Sequence, residues 1–258
     1  LDFGYKFIGP ENGEMACGEY GEGKMSSTRQ IFSYLNKYFE NKNFIQKKNI
    51  SALITTGPTR EYLDPVRYIS NESSGKQGYE IALALKKLGV KITLIAGPSS
   101  ISFAKDLNVT RVTTGDEMIN EVKKNLPVDI VVCAAAVTDF KPKNKIKNKI
   151  KKDKDSLDSI KFEKNQDILE YLGKNNKLKP KMLVGFSAET ENLIENSLKK
   201  FNQKYCDIIV ANDVSKKDTG FNVDHNKVSI ITKDGKIENI PRNKKSFIAS
   251  KIANKIID

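Results

Sequence analysis

The chain has 258 residues with 44 lysines and arginines against 32 acids and one histidine, a net charge of +12. Hydrophobic residues make up 38% and charged residues 29%, which suits a folded, soluble chain and excludes a disordered one. The longest apolar run, Ile130 to Val137, has eight members against the ~20 a membrane helix needs, so a spanning protein is excluded and no membrane partner is expected.

In chain order, Gly4, Gly9, Pro10, Gly13, Gly18, Gly21 and Gly23 break up any regular element at the start. Ser27 and Thr28 can then cap an amphipathic helix carrying Ile31, Phe32, Leu35, Tyr38 and Phe39. The polar stretch Glu40 to Asn49 reads as a linker. From residue 50, β-branched runs alternate with helical patterns. Ile50 to Thr56 is a strand ended by Gly57-Pro58, and Gly75 to Leu88 a helix closed by Gly89. Val90 to Ala96 is a strand ended by Gly97-Pro98, Val109 to Val112 a short strand, and Asp116 to Leu126 a helix. Asp129 to Val137 reads as a strand apolar on both faces, as a central parallel strand is. Then come a helix at Gln166 to Gly173, a strand at Met182 to Phe186, and a helix at Thr190 to Tyr205 whose stripe is Ile194, Leu198, Phe201 and Tyr205. Cys206 to Val210 is a strand, Lys227 to Thr232 and Lys236 to Ile240 a hairpin around Asp234-Gly235, and Asn243 to Ile257 the last helix. Such alternation predicts an α/β fold: a doubly wound, mostly parallel sheet with helices on both faces and a small β-hairpin extension. No internal repeat is visible.

The excess charge is concentrated. Lys141 to Lys164 holds ten lysines and four acids, net +6, half the total. Repulsion among those lysines predicts a solvated, mobile loop, which serves either as a plain surface segment or as a flap over a polyphosphate. Between Phe140 and Phe162 there is no aromatic residue on which nucleic acid bases could stack. Cys17, Cys133 and Cys206 cannot all pair, and two of them sit in apolar runs, which points to a reducing, cytoplasmic compartment. His225 alone supplies too few ligands for a zinc site of imidazole and thiolate and lies in a polar turn, unpromising for a catalytic triad. Leu1 follows no initiator methionine and no signal pattern, so the chain is expected to be a piece of a longer polypeptide.

Ligands of doubly wound sheets bind beyond the carboxyl ends of the strands, so the residues following each strand are the candidates. Ser73-Ser-Gly-Lys-Gln-Gly78 gathers hydroxyls and glycines at a helix start, which serves either as a simple cap or as an anion cradle. It departs from a Walker A loop at Ser70 and Gln77, and no G-x-G-x-x-G follows a strand. Ala134, Ala135 and Ala136 leave room for a flat ligand against the backbone or for tight helix packing. Phe186 can stack a base or fill the core. Lys200 and Lys204 share a helix face near its C-terminus.

Taken together the strings are far more specific. Ile54-Thr-Thr-Gly-Pro-Thr-Arg-Glu61, Asp64-Pro-Val-Arg-Tyr-Ile-Ser-Asn71, Ser73 to Lys76, Ala134-Ala-Ala-Val-Thr-Asp139, Lys149-Ile-Lys-Lys152, Gly185-Phe-Ser-Ala-Glu-Thr-Glu-Asn192 and Ala211-Asn-Asp213 occur in one order. In this the chain resembles phosphopantothenoylcysteine synthetase over residues 49–258, with a Rossmann-like sheet implied. Residues 1–27, with Ile8 to Glu11, Ala16 to Glu19 and Gly23 to Met25, resemble the C-terminal tail of the flavin-dependent phosphopantothenoylcysteine decarboxylase, and 28–48 is the helix and linker between them. Bacteria fuse the two enzymes in that order.

The resemblance implies a ligase joining 4′-phosphopantothenate to L-cysteine. CTP activates the acid as an acyl-cytidylate with loss of pyrophosphate, and the cysteine amine then displaces CMP. It implies that Ala134, Ala135 and Ala136 present backbone to the nucleotide and that Asp139 holds its ribose or a metal-linked group. Gln166, Asp167, Ile168 and Leu169 touch the nucleotide, Phe186 packs on cytosine, and Lys200 and Lys204 complete CTP binding. Lys149, ten residues after Asp139, neutralises the triphosphate; Asn71 handles the acyl-cytidylate with Arg67 nearby; Cys17 matches the decarboxylase proton donor, which acts only in the full-length enzyme. Mg²⁺ bridging the phosphates is implied, without assigned ligands, and FMN only in the decarboxylase part. A homodimer of the ligase domain, with the hairpin at 227–240 as a contact, and a higher oligomer of the longer protein are implied too. Departures from the pattern are Glu72, Gln77, Gln166 and Lys24. Two alternatives from other classes are a basic RNA-binding module, suggested by the charge, and an NAD(P)-dependent oxidoreductase, which lacks its glycine fingerprint.

Overall fold

Six short runs rich in β-branched residues pair in parallel because each of the first five is followed by a helix or a loop long enough to carry the chain back to the same end of the sheet. The computed structural model describes residues 6–15, 17–43, 50–151, 160–175, 177–215 and 223–258. They fall into two compact units, 1–46 and 47–258.

The first unit holds β1 (Glu11–Glu14), β2 (Tyr20–Lys24) and α1 (Thr28–Asn43). The glycines expected to prevent regular structure sit inside an antiparallel hairpin, with Gly13 opposite Gly21. Strand pairing uses backbone groups that glycine has like any residue. Gly18, at φ +84°, makes the tight turn, and its N–H donates to the Met15 carbonyl at 2.9 Å. Ser27 and Gln30 form a capping box: the Ser27 N–H donates to Gln30 Oε1 at 3.0 Å, and the Gln30 N–H to Ser27 Oγ at 3.3 Å. The helix runs to Asn43, into the stretch read as linker; 44–49 lie outside the described residues.

In the second unit the strands are β3 (Ser51–Thr56), β4 (Arg60–Tyr62), β5 (Tyr68–Ser70), β6 (Lys91–Ala96), β7 (Asn108–Arg111), β8 (Ile130–Cys133), β9 (Phe140–Pro142), β10 (Phe162–Lys164), β11 (Met182–Glu189), β12 (Ile208–Asp213), β13 (His225–Thr232) and β14 (Ile237–Lys244). The helices are α2 (Lys76–Lys87), α3 (Gly115–Lys124), α4 (Ile168–Lys174), α5 (Leu193–Lys204) and α6 (Lys245–Ile257). Eight strands make one sheet in the order β7-β6-β3-β8-β11-β12-β13-β14, parallel from β7 to β12 and antiparallel beyond. The chain winds outward from β3 to β7, then returns to β8 beside β3 and winds the other way, so the order reverses between β3 and β8. Alternation along β3 sends Ile54 to one face and Leu53 to the other. Ile54 joins Ile81 and Leu85 of α2 and Ile248 and Ile252 of α6. Leu53 joins Met118 of α3, Leu169 and Leu172 of α4, and Phe201 of α5.

Two expected elements differ in ways that matter. The strand read over 129–137 stops at Cys133, where β11 leaves it: Gly185 is the last β11 residue opposite β8, and from there β11 pairs only with β12, out to Glu189 and Asp213. The chain after Cys133 stays instead with β3, the Ala134 N–H donating to the Thr55 carbonyl at 3.2 Å and the Ala136 N–H to Gly57 at 2.9 Å. In α5 the expected stripe is rotated. Ile194 and Phe201 pack inward, but Leu198 and Tyr205 are exposed and the fully buried position is Ser197, whose hydroxyl donates to Ser187 Oγ at 3.1 Å.

The lysine-rich segment also departs from a free loop. Its ends pair as β9 and β10, and Ile150 is buried, its N–H donating to Asp64 Oδ2 at 3.1 Å. Ile146 N–H donates to the Leu63 carbonyl at 3.1 Å. Lys145, Lys147 and Lys149 nevertheless stand exposed. Residues 152–159, including Lys152 and Lys154, lie outside the described residues. No helix among the described residues is long and apolar enough to cross a membrane.

Candidate active site

The parting of β8 and β11 opens a crevice at the carboxyl end of the sheet. One chamber of about 450 Å³ is walled by the 71–78 loop, by Ala134 to Val137 and by Phe186 to Ala188, and Asp139, Lys200, Asn212, Asn226 and Lys245 complete it. A smaller one of about 120 Å³ shares Ala135, Val137, Asp139, Phe186 and Lys200 and reaches Cys133, Asn165 and Gln166 to Leu169.

The glycines of the 71–78 loop set the first wall. Gly75 has φ +78°, in the left-handed region, and an added Cβ at Gly78 would lie 2.5 Å from Thr56 Oγ1. Thr56 Oγ1 itself donates to the Gly75 carbonyl at 2.6 Å, so α2 starts in direct contact with β3. With glycine at the cap position, no side chain caps the helix; Ser73 and Ser74 instead accept from the N–H groups of Gly75 and Lys76 at 3.3 and 3.4 Å. The helix start thus lines the chamber, and Lys76, whose ammonium meets Asp224 at 2.5 Å, is part of that lining. Asn71 Nδ2 bridges to the Val137 carbonyl at 3.1 Å, joining the first wall to the second.

The second wall is backbone more than side chain. Ala134 to Ala136 carry only methyl groups, and Thr138 is buried with its N–H donating to Thr59 Oγ1 at 3.2 Å. Asn165 Nδ2 donates to the Thr138 carbonyl at 2.8 Å, while its buried Oδ1 has no partner among the described residues. Asp167 caps α4, accepting from the Glu170 N–H at 2.9 Å. Cys133 lines the smaller chamber, but burial pushes its thiol well above the ordinary range, so it is neutral at physiological pH and no nucleophile.

Asn71, Ala134, Ala135, Ala136, Asp139, Gln166, Asp167, Ile168, Leu169, Phe186 and Lys200, singled out from the sequence, all line this crevice. Four others do not. Lys204 is engaged beside it, 2.6 Å from Glu170 and 3.1 Å from Asp167. Burial alone would lower the Lys204 pKa, but these two carboxylates outweigh it and raise it. Lys174 first, and then Lys204, draw Glu170 down to about 2. Arg67 donates to Asp64 Oδ2 at 2.9 Å and to the Ile150 carbonyl at 3.1 Å, and Lys149 stands exposed next to Ile150. Cys17 is exposed in the first unit.

Among the chamber residues that the sequence reading did not single out are Lys76, Asn212, Asn226 and Lys245. The first two lie inside quoted strings. Asn226 and Lys245 gave no signal, because they reach the crevice only through the antiparallel return of β13 and β14. Among the described residues, no three histidine, cysteine, aspartate or glutamate side chains cluster as a ready-made metal cage.

A family model for the DNA/pantothenate metabolism flavoprotein C-terminal domain matches residues 47–258. The coenzyme A biosynthesis bifunctional protein CoaBC of Haemophilus influenzae is 40% identical over 259 residues, 99% of this chain and 62% of that protein. The Bacillus subtilis protein of the same name is 37% identical over 255 residues, 98% of this chain and 62% of that one. The chain therefore spans about three fifths of the length of these curated relatives. Among solved structures, the C-terminal domain of a CoaBC protein is 34% identical, with a TM-score of 0.68, covering 81% of this chain and 94% of that one. A Cab2 variant in complex with phosphopantothenate-cysteine shares the fold at a TM-score of 0.64 and 16% identity, over 91% and 94% of the two chains. A match running from Lys47 to Asp258, on a sheet wound as in the solved domain, means that the chain belongs to the family of DNA/pantothenate metabolism flavoprotein C-terminal domains.

Proposed function

We propose that residues 49–258 are a phosphopantothenate–cysteine ligase of coenzyme A biosynthesis that uses CTP. The observation carrying this reading is the meeting of Asn71, Ala134 to Ala136, Asp139, Phe186 and Lys200 around one crevice at the reversal of strand order. Family membership and the 40% identity to a coenzyme A biosynthesis protein support it, and neither alternative, RNA binding or nicotinamide chemistry, has comparable support.

A carboxylate is a poor electrophile because its leaving group would be oxide. In the proposed reaction an oxygen of the acid bonds to the α-phosphorus of CTP and pyrophosphate departs; the cysteine amine then bonds to the acyl carbon and CMP departs. Phe186 offers a ring face to cytosine, Ala134 to Ala136 offer backbone groups to the base and ribose, and Lys200 balances phosphate charge. Asn71, fixed by its bond to the Val137 carbonyl, orients the acyl group at the rim. Lys149 supplies charge from the strap held by Asp64 and Ile150, whose anchoring Arg67 shares. Asp139 is the carboxylate facing both chambers, and it would hold Mg²⁺ together with phosphate oxygens and water; the ion would offset the charge of the triphosphate.

In the same reading residues 1–27 are the tail of a decarboxylase domain, with FMN and the partner groups for Cys17 in that domain, and 28–48 join the two. The exposure of Phe7, Tyr20 and Met25 fits a segment with more protein to pack against. The ligase works in the cytoplasm as a homodimer with the β13–β14 hairpin as a contact, tested by sedimentation. The activity is tested by pyrophosphate release from the purified chain. Release only when phosphopantothenate, CTP and Mg²⁺ are all present supports the ligase; no release with all three, or equal release without the acid, overturns it.

A further inference from the structure

Of the side chains of α5 only that of Ser197 is fully buried, and its partner Ser187, on β11, is 1% exposed. Ser197 Oγ donates to Ser187 Oγ at 3.1 Å, and Ser187 Oγ donates in turn to Glu189 Oε1 at 2.6 Å. The carboxylate accepts, so the Ser187 proton is committed to Glu189 and its lone pairs are left for Ser197. The other carboxylate oxygen, Glu189 Oε2, accepts from Asn196 Nδ2 at 3.4 Å, and the same amide donates to the Glu191 carbonyl at 3.1 Å. This chain of bonds lies where β11 has left β8. From Phe186 to Glu189 the strand pairs with β12 alone, and Phe186 to Ala188 wall the larger chamber. At its other end α5 lies against α4: a Cβ added at Gly173 would stand 1.9 Å from the Lys204 carbonyl oxygen, and the Lys204 ammonium meets Glu170 and Asp167. Lys200 falls between these two fastenings, about one turn from each, and lines both chambers. Unlike Lys204, it has no carboxylate within salt-bridge distance among the described residues. Ile194 and Phe201 give α5 apolar contact. Such contact is non-directional and lets a helix slide, whereas a hydrogen bond is directional and sets the height of the helix along the strand.

We propose that Ser197, acting through Ser187 and Glu189, is a positioning residue of the nucleotide site: it fixes α5 against the end of β11 so that the Lys200 ammonium stands where the phosphates of the nucleotide lie. This rests on the ligase reading and adds to it the means by which Lys200 is placed. A cation displaced by about 1 Å loses much of its effect on a bound charge, because geometry decides the interaction as much as charge does. Phe186 directly precedes Ser187, so the same bond ties the ring offered to the base to the ammonium offered to the phosphates.

Lys200→Met, Ser197→Ala and the double variant form a cycle, read by calorimetric titration with CTP. Lys200→Met is expected to weaken CTP binding about tenfold and Ser197→Ala about fivefold, whereas adding Lys200→Met to Ser197→Ala costs less than about twofold, because the ammonium is already out of place. An equal cost of Lys200→Met in both backgrounds overturns the proposal, even beside a lowered melting temperature for Ser197→Ala, since the serine is then structural only. So does a CTP affinity that Ser197→Ala or Lys200→Met leaves unchanged. Should Ser197→Ala fail to fold by circular dichroism, Ser187→Ala, which removes the acceptor of the same bond, replaces it in the cycle with the same outcomes decisive. A wild-type protein that does not bind CTP sinks the ligase reading itself, whereas a wild type that binds CTP beside an additive pair of variants sinks only this inference.

Discussion

The lysines of the sheet body and those of the strap over 143–151 are treated differently by the fold. In the body Lys204 meets Glu170 and Asp167, and Lys181 meets Asp129 at 2.9 Å. At the base of the strap Lys141 is 2.6 Å from Asp116. Along it, Lys145, Lys147 and Lys149 are exposed with no carboxylate within salt-bridge distance among the described residues. On the proposed function the strap lysines wait for their ligand in water, where waiting costs little, whereas Lys204 and Lys181 are neutralised at rest.

The sharpest way to break this contrast is Lys149→Gln. Pyrophosphate release should fall on the order of 10²–10³-fold, as when a positioned donor to developing charge is removed, while the melting temperature stays put. A parallel loss of both would make the strap lysine structural. Asp64→Ala attacks the anchor, since that carboxylate accepts from the N–H groups of Val66, Arg67 and Ile150. Burial alone would raise the Asp64 pKa, but these bonds outweigh it and keep the group ionised. Steady-state kinetics should show kcat/KM down roughly 10- to 100-fold from misplacement of the strap, and trypsin should cut at 143–151 faster than in the wild type.

Lys204→Met sharpens the comparison from the other side. It should cost about 1 kcal/mol in urea unfolding, the usual worth of a partly buried hydrogen-bonded contact, and change CTP affinity less than threefold. A tenfold loss of affinity would return Lys204 to the ligand. Acid provides a milder test. Lys181, with the Ser51 N–H and hydroxyl, draws Asp129 down to about 2. A carboxylate depressed on folding contributes stability that is complete above its unfolded pKa near 4 and is lost as pH falls through the folded value. The urea midpoint of the wild type should therefore drop between about pH 4 and pH 2, and Asp129→Asn should flatten that part of the curve. The smallest effect concerns thiols: Ellman's reagent should find Cys17 fast and Cys133 and Cys206 slow, because burial raises both of the latter, Cys206 to about 11.

Much of this was legible in the residues. The alternation from Ser51 to Asp213 gave the winding, and the residues after each strand gave most of the crevice, because a parallel sheet gathers its carboxyl ends on one side. Other features depend on partners distant in sequence. Nothing in Asp129 to Val137 marks Cys133 as the last residue shared with β11, since that end is set by where β11 turns to β12. Ser197 looked like a surface position until Ser187 supplied its bond. Glycines at 13 and 21 argued against a hairpin, although two glycines facing each other pair without side-chain help. Lys245 sits 169 residues after Lys76, and only the antiparallel return brings the two together.

The burial of Ile150 has a further consequence. A strap fastened at Ile146 and Ile150 is a tether, and the cation between those fastenings can wander only as far as its own side chain. Its local concentration is then fixed by geometry, above the millimolar range of short flexible linkers, and dilution of the protein leaves it unchanged. Lengthening the segment beyond 151 should thus matter little, whereas inserting residues between Lys149 and Ile150 should release the ammonium into a far larger volume.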